Sequence, residues 1–180
     1  MTQEELKRKY GDILVMGVDA KIILPLLTDG FNPPDEAIAD TIQCNLKSML
    51  RCEAEQNPAF KQIIPYIILM GMDGRIFITL RLGGDERLKG QHSIGLGGHM
   101  DGGEDVLTVL YRELKEEVGL TEADVRDIRL SGYIYSGKTE VDSVHVGAVY
   151  LLKTEHSEVS PDSLRILAAD LSLRCPGFAI

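Results

Sequence analysis

The sequence predicts a mixed α/β fold, a β-sheet sandwiched between α-helices and preceded by an N-terminal extension. Three observations carry that expectation. Apolar residues recur at helical spacing from Ile38 to Leu50, but the pattern turns strand-like past Asn57-Pro58. Strand-like runs then bracket one amphipathic helix that stops at Gly119. A further apolar stretch near the C-terminus reads as a closing helix. The chain accordingly divides into an extension, residues 1–60, and a sandwich domain, residues 61–180.

In chain order, Thr2 and Glu5 have capping-box spacing and predict a short helix ending near Tyr10. Asp12 to Val18 and Lys21 to Leu27 read as strands or extended segments. Asn32-Pro33-Pro34-Asp35 breaks the chain and starts a helix expected to reach about Glu55, with Ile38, Ile42, Leu46, Met49 and Leu50 on its apolar side. That helical extension is read as plain core packing, a dimer arm or a lid. Ile63 to Met70 is a buried strand, Met72-Asp73-Gly74 a turn, and Arg75 to Arg81 the hairpin partner. Gly83 to Gly90 forms a charged loop. Strands are expected again at Asp127 to Ser131, Gly132 to Ser136 and Val144 to Leu152, and a helix from Pro161 to Leu173.

The chemistry concentrates between Gly98 and Leu120, GHMDGGEDVLTVLYRELKEEVGL. Leu107, Leu110, Leu114 and Val118 make an apolar stripe, Glu104 and Asp105 suit the positive end of the helix, and Gly119 suits its C-cap. On a helix, Glu113, Glu116 and Glu117 fall within roughly 100° of arc. Three carboxylates on one stripe repel one another, and a divalent cation is the simplest remedy. Oxygen-only ligands suit Mg²⁺, which binds through a few carboxylates plus substrate phosphates. The glycines at 95, 97, 98, 102 and 103 let backbone approach a metal or phosphate closely.

The same segment resembles the Nudix hydrolase signature, G-x5-E-x7-R-E-U-x-E-E-x-G-U with U aliphatic. Gly98, Glu104, Arg112-Glu113-Leu114, Glu116-Glu117 and Gly119-Leu120 satisfy every defined position. The resemblance, to MutT-like members and a divergent bacterial-type subgroup, implies the Nudix sandwich and hydrolysis of a diphosphate linkage in a nucleoside diphosphate derivative or related organic pyrophosphate. It implies Glu113, Glu116 and Glu117 as ligands of Mg²⁺, with Mn²⁺ a substitute, and the Gly98 carbonyl as a further ligand. Arg112 would pair with Glu104 or Glu113 and hold a carboxylate in place. Glu113, Glu116 and Arg112 form the expected catalytic set, while Glu104 and Gly119 are structural in the motif. The general base stays open between Glu113 and a later carboxylate, Glu140, Asp142, Glu155 or Glu158.

Substrate contacts are expected from Arg81, Arg87 and His99, with Lys89, Lys138 and His145 as further candidates. Where many members carry proline and tryptophan before the paired glycines, this chain has Leu96 and Ser93. Subgroup markers do not select a substrate: the first proline after the box is Pro161, and Tyr133 and Tyr135 lie near a position that diadenosine-polyphosphate hydrolases mark with tyrosine. A non-catalytic ligand-sensing or interaction module on the same fold is the alternative, disfavoured by the complete acidic stripe.

Composition bounds the rest. A net charge of −9 argues against binding a nucleic-acid polymer, which needs a basic footprint, but allows a small phosphorylated substrate. Cys44, Cys52 and Cys175 have neither disulfide-framework nor zinc spacing, which suits a reducing cytoplasm. No signal peptide or membrane span is expected, and a homodimer is one expected assembly.

Overall fold

A computed structural model describes residues 1–81, 92–156 and 164–169. Five helices appear among them: α1 (Gln3–Tyr10), α2 (Ala20–Ile23), α3 (Glu36–Asn45), α4 (Arg51–Ala54) and α5 (Val106–Val118). The strands are β1 (Leu14–Asp19), β2 (Gly30–Asn32), β3 (Lys47–Leu50), β4 (Phe60–Gly71), β5 (Ile76–Arg81), β6 (His92–Ser93), β7 (Leu96–Gly97), β8 (Val125–Tyr135), β9 (His145–Thr154) and β10 (Leu164–Ala169). This is a mixed α/β fold with a sheet flanked by helices. The chain forms two compact units, one of residues 1–65, 99–106 and 131–148, the other of residues 66–98, 107–130 and 149–180.

In the first unit, β1 pairs antiparallel with β3 (Leu14 opposite Leu50) and with the start of β4 (Gly17 opposite Gln62), and β2 pairs with β8. Val15, Ala54 and Phe60 form a buried cluster with Met49 packed against it. A Cβ on Gly17 would strike the Phe60 ring, so glycine lets the two strands close over that ring. Thr2 and Glu5 form the expected capping box of α1, which buries Leu6. Asp35 caps α3 by accepting hydrogen bonds from the N–H groups of Ala37 (2.8 Å) and Ile38 (3.2 Å).

Three expectations for residues 1–60 give way here. The helix drawn to about Glu55 stops at Asn45, because Leu46 is extended (φ −62, ψ 129) and the next residues join β1 as β3. Lys21 to Leu27 is not a strand: it holds α2 and a 3-10 turn over Leu24–Leu26, where Pro25 fixes φ in the helical range. The extension therefore mixes helices with β1, β2 and β3 rather than being helical throughout.

In the second unit, β4 turns into β5 at Asp73-Gly74, as the turn signal predicts. Gly74 takes a positive φ (84°), and the Asp73 carboxylate accepts from the Arg75 N–H at 3.0 Å. Residues 127–135, expected within two strands, lie in the continuous β8, which ends at Tyr135 before Ser136. The stretch expected as a C-terminal helix supplies β10, paired antiparallel with β5 from Leu164 opposite Arg81 to Ala169 opposite Ile76. Its leucines and alanines favour a helix locally, and the open edge of β5 overrides them. The charged loop from Gly83 to Gly90 and the tail LSLRCPGFAI lie outside the described residues. Among the described residues no helix is long and apolar enough to cross a membrane.

Candidate active site

Short strand β7 pairs with β4, Tyr66 opposite Gly97, and Gly98 follows it beside the Glu113 carboxylate of α5. The helix buries Val109, Leu110, Leu114 and Val118, and Glu113 lies on that same buried face. Leu107, expected in the apolar stripe, is instead exposed, and Val109 takes its place. Gly119 ends the helix with φ 71°, its N–H donating to the Lys115 carbonyl at 3.1 Å.

Glu113 is 7% exposed, and its carboxylate lies against Gly98 so closely that any Cβ there would overlap it. Arg112 Nη1 donates to Glu113 Oε1 at 2.6 Å and lies 3.9 Å from Glu116 Oε2. Burial pushes the Glu113 carboxyl above its ordinary range; Arg112 opposes that shift, while the charges of Glu116 and Glu117 add to it. Glu116 is exposed and Glu117 half-buried, so the acidic stripe runs from the interior to the surface. An inward carboxylate beside Arg112, with Glu116 and Glu117 as anionic neighbours, is an arrangement that can hold a cation.

Glu104 holds the loop before α5: its carboxylate accepts from the Asp101 N–H at 2.9 Å, and its own N–H donates to the Asp101 carbonyl at 3.0 Å. Gly102 donates to Leu14 and Gly103 takes φ 92°, so this loop is tied to β1. Ser93 bonds both backbone groups of Gly95, and Leu96 is buried, so these two residues shape β7 and the turn before it.

The remaining predicted residues scatter. Arg81 ends β5, while Arg87, Lys89, Glu158, Pro161 and Cys175 lie outside the described residues. Glu155 is engaged by Arg126 (3.0 Å), and Lys138 pairs with Asp29 (2.9 Å). Glu140 and Asp142 are exposed, beside a 3-10 turn over Asp142–Val144. Tyr133 is buried, and Tyr135 faces the Lys61 ammonium at 5.5 Å from its ring. Cys44 is exposed and Cys52 buried, both free thiols.

In the first unit His99 and His145 come together, their Nε2 atoms 3.3 Å apart, and Glu55 joins them, its Oε1 3.7 Å from His99 Nε2. The two histidines stood out in the sequence, but Glu55 did not. It reads as an ordinary acidic residue one turn after Arg51, and no sequence signal separates it from its neighbours.

Comparison with known proteins defines the class. The NUDIX domain model matches residues 61–170. Protein YmaB of Bacillus subtilis (strain 168) is 34% identical over 140 residues, covering 71% of this chain and 68% of YmaB. The crystal structure of Tm1382, whose name carries a provisional Nudix hydrolase designation, superposes with a TM-score of 0.75 at 28% identity, covering 88% of this chain and 86% of that one. The chain belongs to the Nudix family and is an enzyme of the Nudix pyrophosphohydrolase type.

Proposed function

We propose that this enzyme hydrolyses the diphosphate linkage of a small nucleoside diphosphate derivative or related organic pyrophosphate, using Mg²⁺ or, in its place, Mn²⁺. The observation that carries the reading is the Glu113 carboxylate, buried against Gly98 and flanked by Glu116 and Glu117 on one helix. The donor set fits the ion. All the side-chain ligands are carboxylate oxygens, as a hard cation prefers, and a glycine leaves room at the one point where a side chain would block the innermost carboxylate.

Glu113, Glu116 and Glu117 would hold the metal, together with the Gly98 carbonyl. The bound ion would neutralise diphosphate oxygens and lower the pKa of the attacking water. The chain's own contribution is placement. Arg112 holds Glu113 through a charge-assisted bond and opposes the upward push of burial on its pKa. Glu104 fixes the loop that leads into α5.

Dividing the chain at residue 60 is supported by the start of the family match at residue 61. For residues 1–60, the pairing of β1 with β4 supports packing as their role. A small substrate in the cytoplasm, rather than a polymer or a membrane, is supported by the net charge of −9 and by the free thiol of exposed Cys44.

The test is release of phosphate or pyrophosphate-derived product from a panel of nucleoside diphosphate derivatives with Mg²⁺, comparing wild type with Glu117→Gln. Turnover should fall by at least about 100-fold in the variant, on the scale of losing one electrostatic stabiliser of the transition state. Equal turnover in the two proteins would remove the assignment.

A further inference from the structure

A second cluster of ligating atoms lies in the first unit and belongs to none of the carboxylates on α5. Glu55 follows the last turn of α4, His99 follows Gly98 in the loop entering α5, and His145 opens β9. One ligand atom from each lies within 4.8 Å of the other two, and all three residues are half-buried.

The separations are informative. Nε2 of His99 and Nε2 of His145 are 3.3 Å apart. That is longer than the roughly 2.9–3.0 Å of a typical N–H hydrogen bond. Two nitrogens bound to one zinc at about 2.0–2.1 Å, at a tetrahedral angle, would be about 3.3–3.4 Å apart. Glu55 Oε1 stands 3.7 Å from His99 Nε2, too far for a hydrogen bond. For two ligands each about 2.1 Å from one ion, that spacing corresponds to an angle of about 125°. Both of these separations thus fit two ligands of one shared ion.

The surroundings also orient the ligands. His145 Nδ1 lies 2.6 Å from the Val141 carbonyl, which requires the proton on Nδ1 and leaves the Nε2 lone pair directed at His99. Glu55 is gripped by Arg51, whose Nε donates to that same Oε1 at 3.2 Å, and the Arg51 guanidinium is itself stacked on the Tyr10 ring at 4.2 Å. Each ligand that the contacts describe therefore has a partner that fixes its direction.

We propose that Glu55, His99 and His145 form a binding site for a divalent transition metal, with zinc the best match. Two imidazoles and one carboxylate leave a fourth position for water or a substrate oxygen, and nitrogen donors select against Mg²⁺. The ion would clip together the end of α4, the loop into α5 and the start of β9.

The test is calorimetric titration of Zn²⁺ into the full chain in saturating Mg²⁺, which keeps the α5 carboxylates occupied. Wild type and Glu117→Gln should each bind one Zn²⁺ per chain. His145→Ala and Glu55→Gln should weaken binding by more than the roughly 10–100-fold that loss of an outer partner costs. Glu55→Gln guards against misfolding of the alanine variant, and circular dichroism checks both. Co²⁺ should give a visible absorption band in wild type that His145→Ala abolishes. The proposal is overturned if wild type binds no Zn²⁺, if His145→Ala binds it as tightly, or if Glu117→Gln alone loses it. Because Glu117→Gln should lose hydrolysis yet keep zinc, this site and the diphosphate reading fail separately.

Discussion

The backbone of Gly98 and the carboxylate of Glu113 occupy adjoining space that admits no side chain between them: a Cβ on Gly98 would stand 2.8 Å from Oε2 and nearer still to Oε1. Strand β7 and helix α5 are therefore matched at one atom's width. Gly98→Ala should force the carboxylate aside while leaving the fold intact by circular dichroism. Displacement of a reacting group by about 1 Å typically costs about 100-fold in rate, so a loss of that order in kcat is the expected result.

Glu113 also predicts a conflict between stability and turnover. Burial raises its folded pKa above the unfolded value. Between those two values the folded protein holds the extra proton, so stability rises as pH falls through that window. Above both values the ionised group is a cost. Glu113→Gln removes that cost, and in chelator at neutral pH the melting temperature should rise by about 2–4 °C, the shift expected for about 1 kcal/mol in a chain of this size. Turnover of the same variant should collapse. A melting temperature that falls instead would show that Arg112 needs the charge more than burial opposes it.

His145 carries the opposite sign. Burial lowers its folded pKa below the ordinary 6.5. As pH drops through about 6.5, the unfolded chain takes up a proton that the folded one does not, so stability declines on acidification. In metal-free buffer, His145→Gln should flatten the stability profile between neutral pH and the folded value. An unchanged slope would place the titration elsewhere.

Lys61 is 2% exposed, and its ammonium donates to the carbonyls of Pro58 (2.8 Å) and Ser143. Lys61→Met keeps the apolar stem and leaves both acceptors without that donor. Denaturant unfolding should show a loss of about 1–3 kcal/mol, the usual cost of unsatisfied buried polar groups.

At the end of α5, Gly119→Ala puts a Cβ into the left-handed region at φ 71°. The expected cost is about 1–2 kcal/mol, read by thermal unfolding, with turnover per folded molecule unchanged.

The acidic helix was legible because all its information is local. The positions of Glu113, Glu116, Glu117 and Gly119 in one frame define the helix, its end and its charged stripe. What escaped depends on partners far along the chain. Leu46, Met49 and Leu50 continue the helical spacing of α3, yet Met49 lies opposite Val15 in a strand pair that no local pattern announces. Leu164 to Ala169 reads as helix until the edge of β5 claims it. Glu55 approaches His99 only through tertiary folding, so sequence spacing could nominate the histidines singly but could not assemble the trio. Local rules succeed where the neighbours are three or four residues away, and tertiary pairing decides the rest.

The stack of Tyr10 on Arg51, which in turn grips Glu55, has a practical consequence. The chain contains no tryptophan, so Tyr10→Trp would install a unique indole emitter two contacts from a proposed ligand. Its emission would give an optical report of ion loading in real time, without labelling the protein or disturbing the carboxylates of α5.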